Sequence, residues 1–251
     1  MDSKPAETLI GCAGWAIPPV ARHEFATKGS SLQRYAARFS AVEINSSFYR
    51  PHKPTTYARW ASDVPPSFKF AVKVPKTITH IRRLVDVETL LEEFMSQVTC
   101  LGNKLGCLLV QLPPTLGYSV AANAFFLGLR CRFAGLVVLE PRNHEWFTPS
   151  VDSVLIPNRI SRVAADPGIQ ASACEPGGWR GLAYYRLHGS PRLYFSSCSL
   201  PYITSLGQKL HALSLAGAMT WCTFDNTALG EATLNALSLQ RLSFDERAGS
   251  E

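Results

Sequence analysis

The feature that most constrains this chain is a series of eight short, β-rich apolar runs spaced too widely to be joined as hairpins. Several of the segments between them have the apolar periodicity of amphipathic helices. Strands that alternate with helices form parallel sheets, and this number of repeats in 251 residues favours an α/β fold of the (β/α)8 TIM-barrel type over an open sheet. The predicted strands are residues 8–14, 41–45, 68–74, 106–112, 136–140, 162–166, 182–188 and 219–224.

The pattern weakens after the fifth predicted strand. Residues 148–160 form a poor helix, and residues 166–181 contain Gly and Pro without an apolar period, so they are predicted to be a loop. We therefore expect a barrel that is irregular or truncated in this part. No linker or internal repeat marks a boundary, so one domain is predicted over residues 1–251.

Composition sets a charge bias but excludes few function classes. Lys and Arg total 25 against 19 Asp and Glu, a formal net charge of +6, which favours an anionic small molecule or nucleic acid as partner. The basic residues are scattered, as is typical of a solvated surface. No apolar stretch approaches the roughly 20 residues needed to cross a bilayer, and the opening MDSKPAETLI has no basic-then-apolar leader. A cytoplasmic protein without a membrane partner is expected.

The seven cysteines form no CxxC pair and have no histidine at zinc-finger spacing. A structural zinc site is therefore not expected. Several cysteines lie in apolar strand-like runs, so we predict buried free thiols and no disulfides, in keeping with a reducing compartment.

Side-chain alternation along the strands predicts a polar cluster inside the barrel. If the apolar residues of each strand face the helices, the polar residues between them point inward. These polar residues lie toward the C-terminal ends of their strands, where the active sites of such barrels are built. The residues predicted to meet there are Glu43, Asn45, Lys73, Gln111, Glu140, Arg142, Asp166, Arg186 and His188.

The loops after the first three strands add further candidates. Gly11 and Gly14 would let the first strand turn tightly, and Trp15 would then wall the cleft or, equally, fill the core under a loop. Tyr49 follows the second strand and His80 the third, so both are predicted to reach the same end of the barrel.

Seven motifs occur in the order of one known family and span nearly the whole chain. They are IGCAGW, VEINSSFYRPHKPTTYARW, FKFAVKVPKTITHIRRL, LLVQLPP, the Glu, Arg and Trp of LEPRNHEWF, YYRLHG and TFDN. With them the chain resembles the YecE-like family, DUF72, a domain family of unknown function. The resemblance implies a (β/α) barrel related to those of xylose isomerase and endonuclease IV, and it implies no established reaction.

Two positions depart from the family pattern. Arg142 is followed by Asn143, and His144 stands one place later than the histidine of the family. Asp225 and Asn226 replace paired asparagines after the eighth strand, which adds a negative charge either at the rim or toward a helix.

The first functional hypothesis is an enzyme that acts on an anionic or phosphorylated substrate without a metal cofactor. Basic residues of the cluster would bind anionic groups, and its carboxylates and histidine would act as general acids or bases. The reaction class stays open among hydrolase, lyase and isomerase. The predicted catalytic residues are Glu43, Lys73, Glu140, Asp166 and His188. The predicted substrate-binding residues are Trp15, Asn45, Tyr49, His80, Gln111, Arg142, Arg186 and Asn226.

Four alternatives use the same residues. The charged groups would form a buried ion network that only holds the barrel together. Lys73 would form a Schiff base if it were desolvated or beside another cation. A metal-dependent hydrolase or nuclease of the endonuclease IV type would hold a divalent metal on the carboxylates and histidines, although the interleaved basic residues would repel it. A non-catalytic module would bind nucleic acid or a protein through basic and aromatic residues.

Overall fold

A computed structural model of the chain describes residues 6–248, with side chains described as far as residue 242. The start of the opening segment MDSKPAETLI, in which no leader is expected, therefore lies outside the described residues. The strands are β1 (Thr8–Cys12), β2 (Ala41–Ile44), β3 (Lys69–Lys73), β4 (Leu105–Gln111), β5 (Leu136–Glu140), β6 (Ile160–Arg162), β7 (Ala164–Asp166), β8 (Gly177–Gly178), β9 (Leu182–Leu187) and β10 (Met219–Phe224).

Helices separate most of these strands. The α-helices are α1 (Ser31–Ala36), α2 (Pro54–Ser62), α3 (Glu88–Val98), α4 (Val120–Arg132), α5 (Pro149–Leu155), α6 (Leu200–Leu215) and α7 (Glu231–Ala248). Short 3-10 helices occupy Pro19–Glu24, Ser46–Phe48, Thr99–Lys104, His144–Trp146 and Ala171–Ala173, and a π-helical turn occupies Thr77–Ile81. None of the helices in the described range combines the length and apolarity that a membrane-spanning segment needs.

The predicted α/β fold with parallel strands is confirmed. Each of the eight predicted runs contains a strand, and the sixth run is divided at Val163 into β6 and β7. The ladders between the predicted strands are parallel, whereas the unpredicted β8 is antiparallel to β6.

The strands are arranged in two sheets. One has the order β2-β3-β4-β5-β6-β8 and the other the order β1-β10-β9-β7. At one boundary β6 runs directly into β7, and the intervening Val163 donates its N–H to the Leu139 carbonyl of β5. At the other boundary, an isolated parallel bridge joins Ala13, after β1, to Glu43 of β2.

Side chains rather than a ladder complete the contact between β1 and β2. The buried Tyr35 hydroxyl accepts a hydrogen bond from the Cys12 N–H at 2.7 Å and donates to the Ala41 carbonyl at 3.1 Å. The Ile10 N–H donates to Ser40 Oγ at 3.1 Å. The two strands approach closely because Gly11 has no side chain: an ideal Cβ there would lie 1.9 Å from the Ala41 carbonyl oxygen.

The segment that disrupts the pattern is irregular as predicted, but it is not wholly without structure. Helix α5 forms in spite of its weak periodicity, since Thr148 Oγ1 caps the Val151 N–H and Pro149 occupies the first turn. Between β7 and β9, the short helix Ala171–Ala173 and β8 are the regular elements of residues 167–181, so this connection contains no α-helix.

Alternation along the strands separates an outer apolar core, as predicted, from a second apolar core that was not predicted from the sequence. The larger core lies between the strands and the helices and includes Val42, Phe70 and Val72. The smaller core lies on the opposite, inner face of the strands. Its buried members are Leu9, Ala41, Ala71, Cys107, Leu109, Val138, Val163, Leu182, Tyr184 and Trp221.

All seven cysteines lie in the described part of the chain, and all are free. The expectation of buried thiols holds for Cys12, Cys107 and Cys222. It is wrong for Cys100, Cys131 and Cys174, which are exposed, whereas Cys198 is partly buried.

The contact at Gly11 gives a stability prediction. We expect Gly11→Ala to lower the free energy of unfolding by about 2–3 kcal/mol, because the added methyl group must push β1 and β2 apart. Gly128→Ala on α4 is the control, since the nearest atom to its added Cβ is 3.7 Å away. It should raise stability by about 0.5–1 kcal/mol. Urea denaturation measures both, and a Gly11→Ala protein as stable as the wild type would contradict the close approach.

Candidate active site

A cluster of charged side chains lies on the inner face of the strands, at their C-terminal ends, around Arg186 of β9. The Arg186 side chain is 1% exposed. Its Nε and Nη2 donate to the two carboxylate oxygens of Glu43 at 3.0 and 2.7 Å, and its Nη1 donates to Glu140 Oε2 at 3.2 Å. Its Nη2 also lies 3.0 Å from Asp225 Oδ2. The planar guanidinium therefore contacts three carboxylates that come from three other strands or strand ends.

Mutual charge neutralisation fixes the ionisation of this cluster. Burial lowers the pKa of Arg186, but Asp225, Glu43 and Glu140 outweigh burial and raise that pKa well above its ordinary value. Burial raises the pKa of Glu140, yet Arg186, Arg142 and His188 hold it well below its ordinary value. The pKa of Asp225 is lowered in the same way, with burial opposed by Arg186 and His188. Glu140 and Asp225 are therefore ionised at neutral pH.

His188 lies between two of these carboxylates. Its Nδ1 is 3.0 Å from Asp225 Oδ2 and its Nε2 is 2.8 Å from Glu140 Oε1. A doubly protonated ring donates to both. Arg142 Nη2 donates to the same Glu140 oxygen at 2.6 Å and lies 2.8 Å from His188 Nε2. The imidazole of His188 and the guanidinium of Arg142 thus meet at Glu140 Oε1. A proton can be held there or passed on.

Lys73 ends β3 in the same group of inner-facing residues. Its side chain is buried, and its Nζ lies 4.1 Å from the centroid of the Phe48 ring. The hydroxyl of Ser47 donates to the Lys73 carbonyl at 2.6 Å, which fastens the turn after β2 to the end of β3. Burial, and then the charge of Arg186, lower the pKa of Lys73 to about 8, although the carboxylates oppose this shift.

The residues around this cluster are partly exposed. The Arg142 side chain is 17% exposed, and His80, Asn45 and Gln111 are half-buried. Arg142 Nε and Asn45 Oδ1 are buried, and neither has a hydrogen-bond partner among the described residues. His80 accepts from or donates to Thr79 Oγ1 at 2.9 Å, and burial followed by the Lys73 charge lowers its pKa. This rim therefore has polar groups available to a ligand.

The prediction that Asp166 faces the interior is wrong. Val163 packs in the inner core and Ala164 in the outer core, so alternation places Asp166 on the outer face with Ala164. There it neighbours Tyr202 of α6, whose pKa is raised well above its ordinary value by burial and by Asp166. Asp166 does not belong to the charged cluster.

Three other predicted residues lie apart from the cluster contacts. Trp15 packs edge-on against Trp60, with ring centroids 5.1 Å apart. Tyr49 is 63% exposed. Asn226 is buried, and its Nδ2 donates to the Ser196 carbonyl at 2.9 Å and to Asn235 Oδ1 at 2.8 Å, so it joins a loop to α7. The Asn226 Oδ1 has no partner in the described part of the chain.

Sequence reasoning missed three members of the cluster. Asp225 is not among the predicted site residues, yet it contacts both Arg186 and His188. The Tyr184 hydroxyl donates to Glu43 Oε2 at 3.1 Å and lies 2.9 Å from Thr223 Oγ1. Strand alternation could have identified these three residues. Residues 221, 223 and 225 lie on one face of their strand, and residues 184, 186 and 188 lie on the same face of theirs.

The cluster does not fit a divalent metal ion. Over residues 6–248, no group of three or more His, Cys, Asp or Glu side chains is arranged to hold one. The carboxylates of Glu43, Glu140 and Asp225 converge instead on the Arg186 guanidinium. A metal ion would have to displace a buried, hydrogen-bonded cation.

The buried ion pairs lead to a mutational prediction. Arg186→Met should lower the free energy of unfolding by about 3–5 kcal/mol, because it leaves buried carboxylates without their partner. Lys209→Met is the control, since it breaks a Lys209–Glu175 pair whose side chains are 51% and 57% exposed. It should cost no more than about 1 kcal/mol. Chemical denaturation of both variants measures the contrast, and equal losses would show that the network adds no stability.

The lowered carboxylate pKa values predict acid sensitivity. Because the folded-state pKa values of Glu140 and Asp225 lie below those of the unfolded chain, their stabilisation is complete above about pH 4–5 and is lost as the pH falls through the folded-state values. Denaturation midpoints measured across the acid range should therefore fall less steeply for Glu140→Gln than for the wild type. The exposed Glu93→Gln variant controls for the loss of a carboxylate, and identical slopes for all three proteins would contradict the prediction.

Comparison with known proteins identifies relatives along much of the chain. A model of the family described as "Protein of unknown function DUF72" matches residues 9–249. The UPF0759 protein YecE of Escherichia coli (strain K12) is 33% identical over 108 residues, which are 43% of this chain and 38% of YecE. The UPF0759 protein YunF of Bacillus subtilis (strain 168) is 27% identical over 147 residues, 56% of this chain and 52% of YunF. The matched part of this chain thus spans about two-fifths to half the length of these curated relatives.

Two solved structures share the fold over almost the whole chain. A DUF72 family protein from Enterococcus faecalis V583 matches with a TM-score of 0.81 at 21% identity, covering 94% of this chain and 95% of that one. A DUF72 family protein from Thermotoga maritima MSB8 matches with a TM-score of 0.76 at 22% identity, covering 94% and 98%. At these identities the likeness establishes the fold alone. Because the family model covers residues 9–249, the chain belongs to the DUF72 family, and its predicted resemblance to YecE-like proteins is confirmed.

Proposed function

We propose that this protein is an enzyme that acts on an anionic or phosphorylated small molecule, in a polar pocket at the C-terminal ends of the strands of a (β/α) barrel. The observation that carries the proposal is His188, held between Glu140 and Asp225 while Arg142 contacts the same ring nitrogen from the rim. Such an arrangement provides both a proton relay and a cation for a substrate anion.

Closure of the two sheets into a barrel is part of this proposal. Continuity of β6 with β7 supports closure at one boundary, and the Ala13–Glu43 bridge with the Tyr35 hydroxyl supports it at the other. An inner apolar core filled from strands of both sheets is also typical of a barrel interior. Closure would surround the charged cluster with strand ends and exclude water from its base.

The charges of the cluster favour an anionic ligand. Glu43, Glu140 and Asp225 face the cations Arg186, Arg142 and Lys73, together with His188. The Arg142 Nε is a buried, charged donor that these carboxylates leave unused, and a bound phosphate or carboxylate could accept its hydrogen bond.

Two of the cations distinguish this cluster from a purely structural ion network. Lys73 makes no ion pair within 4.0 Å in the described part of the chain. Arg142 pairs with Glu140 through one nitrogen, and its Nε keeps an unused donor. In a network that served only the fold, these donors would be satisfied internally. Lys73 and Arg142 are therefore the residues proposed to contact the substrate, with Arg142 holding its anionic group.

Glu140 and His188 are proposed to perform the proton transfer. Their contact at 2.8 Å allows a proton to move between Nε2 and Oε1, and Asp225 holds the ring through the other nitrogen. Glu43 and Arg186 are buried beneath them and would position Glu140. Whether the reaction is a hydrolysis, an elimination or an isomerisation follows from the substrate.

Two alternatives have less support. A metal-dependent nuclease or hydrolase would need the carboxylates that Arg186 occupies. A non-catalytic module for nucleic acid or protein would use exposed aromatic residues such as Tyr49 and Tyr194, but it would not require His188 and Glu140 to share a proton. The ligand screen that tests the proposal also detects such a binding module.

A screen of phosphorylated and carboxylated metabolites tests the proposal. Thermal shift identifies ligands, and mass spectrometry then detects conversion. Glu140→Gln should bind the ligand but lower kcat by at least about 100-fold, because the proton acceptor is lost. Arg142→Met should weaken binding, while Arg59→Met on the exposed face of α2 should change neither property.

The outcomes separate the classes. A ligand that the wild type binds without converting, and that Glu140→Gln binds equally well, would identify a binding module. Conversion that requires an added divalent metal would favour the hydrolase or nuclease, and element analysis of the purified protein would then show whether it carries the metal.

A further inference from the structure

We propose that Lys73 is a covalent nucleophile, which forms an imine with an aldehyde or ketone group of the anionic substrate. The inference rests on the proposed function, because the same site would hold the substrate anion. It narrows the substrate class to anionic carbonyl compounds, such as 2-oxo acids or phosphorylated aldoses and ketoses.

The position of Lys73 supports this role. It is the last residue of β3, two residues after Ala71 of the inner core and just before the π-helical turn that carries the half-buried His80. Its pKa responds to Glu43, Glu140, Asp225 and Arg186 at once, so its amine lies within electrostatic reach of the whole cluster. A carbonyl bound at Lys73 would therefore lie near the proposed proton relay.

Lys73 combines burial with the lack of a hydrogen-bond or ion-pair partner among the described residues, whereas Lys76, which also lies over a ring, is only half-buried. Lys69, on the same strand, donates to the Asn103 carbonyl at 2.8 Å, Lys104 donates to two carbonyl oxygens, and Lys209 pairs with Glu175. For Lys73 Nζ, the contact that the structure gives is the face of the Phe48 ring. An amine without a hydrogen-bond acceptor keeps its lone pair available once it is deprotonated.

Two residues of the turn after β2 hold Lys73 in place. Ser47 anchors the Lys73 main chain, and the Phe48 ring lies under Nζ and edge-on to His80, with centroids 4.9 Å apart. Burial and Arg186 lower the pKa of Lys73 to about 8. At pH 7 roughly a tenth of Lys73 would then be unprotonated, whereas an ordinary lysine is unprotonated in less than about a thousandth of molecules.

The proposed step needs neither an oxidant nor a reductant. The Nζ lone pair attacks the carbonyl carbon, the carbonyl oxygen gains a proton and the nitrogen loses one, which gives a carbinolamine. The hydroxyl group then leaves as water with a proton from a neighbouring acid, and the carbon–nitrogen double bond forms as a protonated imine. The nitrogen then returns one proton to the conjugate base of that acid. One amine and one carbonyl thus give one imine and one water. His80, on the same Phe48 ring as Lys73, is a neighbouring group able to carry these protons.

Reductive trapping of the wild-type protein tests the inference. The protein is incubated at pH 7 with limiting glyoxylate and cyanoborohydride, which reduces an imine to a stable secondary amine, and labelled lysines are identified by peptide mass spectrometry. Lys73 should be labelled about 100-fold faster than the exposed Lys28 and Lys53, in line with its larger unprotonated fraction. Labelling of Lys73 no faster than that of Lys28 would overturn the inference.

Two variants sharpen the result. Lys73→Arg keeps the positive charge but cannot form an imine, so only slow surface labelling should remain. Lys76→Met, on the adjacent loop, should label at Lys73 as the wild type does. Fast labelling of another inner residue in the Lys73→Arg protein would place the nucleophile elsewhere and contradict the inference.

A parallel titration with inorganic phosphate distinguishes this inference from the proposed function. Phosphate that binds the wild type, without selective labelling of Lys73, would retain the anion site and reject the imine. The opposite result is also possible: Lys73 is labelled selectively, phosphate does not slow the labelling, and the protein binds no anion in the screen. That result would retain Lys73 as the nucleophile and reject the anion pocket.

Discussion

The buried guanidinium of Arg186 is the contact on which the inner face of this protein depends. It joins β9 to carboxylates from β2, from β5 and from the residue after β10, so one side chain spans the interior between both sheets. A lysine could not replace it, because a single ammonium cannot present flat, paired donors to three carboxylates at once. The same charge affects the rest of the site: it helps to keep Glu140 and Asp225 ionised, and it adds to burial in lowering the pKa of Lys73.

The inner face of the strands has an apolar layer below and a charged layer above. Both follow from the alternation of side chains along the same strands. The lower layer is closed by large rings, with Tyr184 stacked on Trp221 at a centroid distance of 5.6 Å. Two residues further along the same strands, the side chains become Arg186 and Thr223. The charged groups therefore lie above a buried apolar layer, which lowers the local dielectric constant and strengthens the electrostatic interactions next to it. Affinity for an anion and control of protonation would both benefit from this arrangement.

Much of the fold and part of the site could be predicted because alternation is a local property. The strands containing Glu43, Lys73 and Arg186 have apolar neighbours on both sides that fix which residues face inward. Asp166 was misplaced because its strand reads Val-Ala-Ala-Asp, where small residues fit either face and the strand is divided at Val163. Helix α5 was underestimated because its stability comes from the Thr148 cap and Pro149 rather than from periodicity. The partners of Arg186 are set by tertiary distances, which no local pattern contains.

The pairing of β1 with β10 has a consequence for how the chain must fold. Thr8 is the register partner of Thr220, so the first strand obtains its ladder only when a segment more than 200 residues later is in place. Apart from β10, strand β1 is held against β2 by the side chains of Tyr35 and Ser40 and by the bridge between Ala13 and Glu43. Contacts of such high sequence separation slow folding, and until they form the edge of β1 is open to other chains. Before β10 pairs with β1, the hydrogen bonds of the Tyr35 hydroxyl would help to keep β1 next to β2.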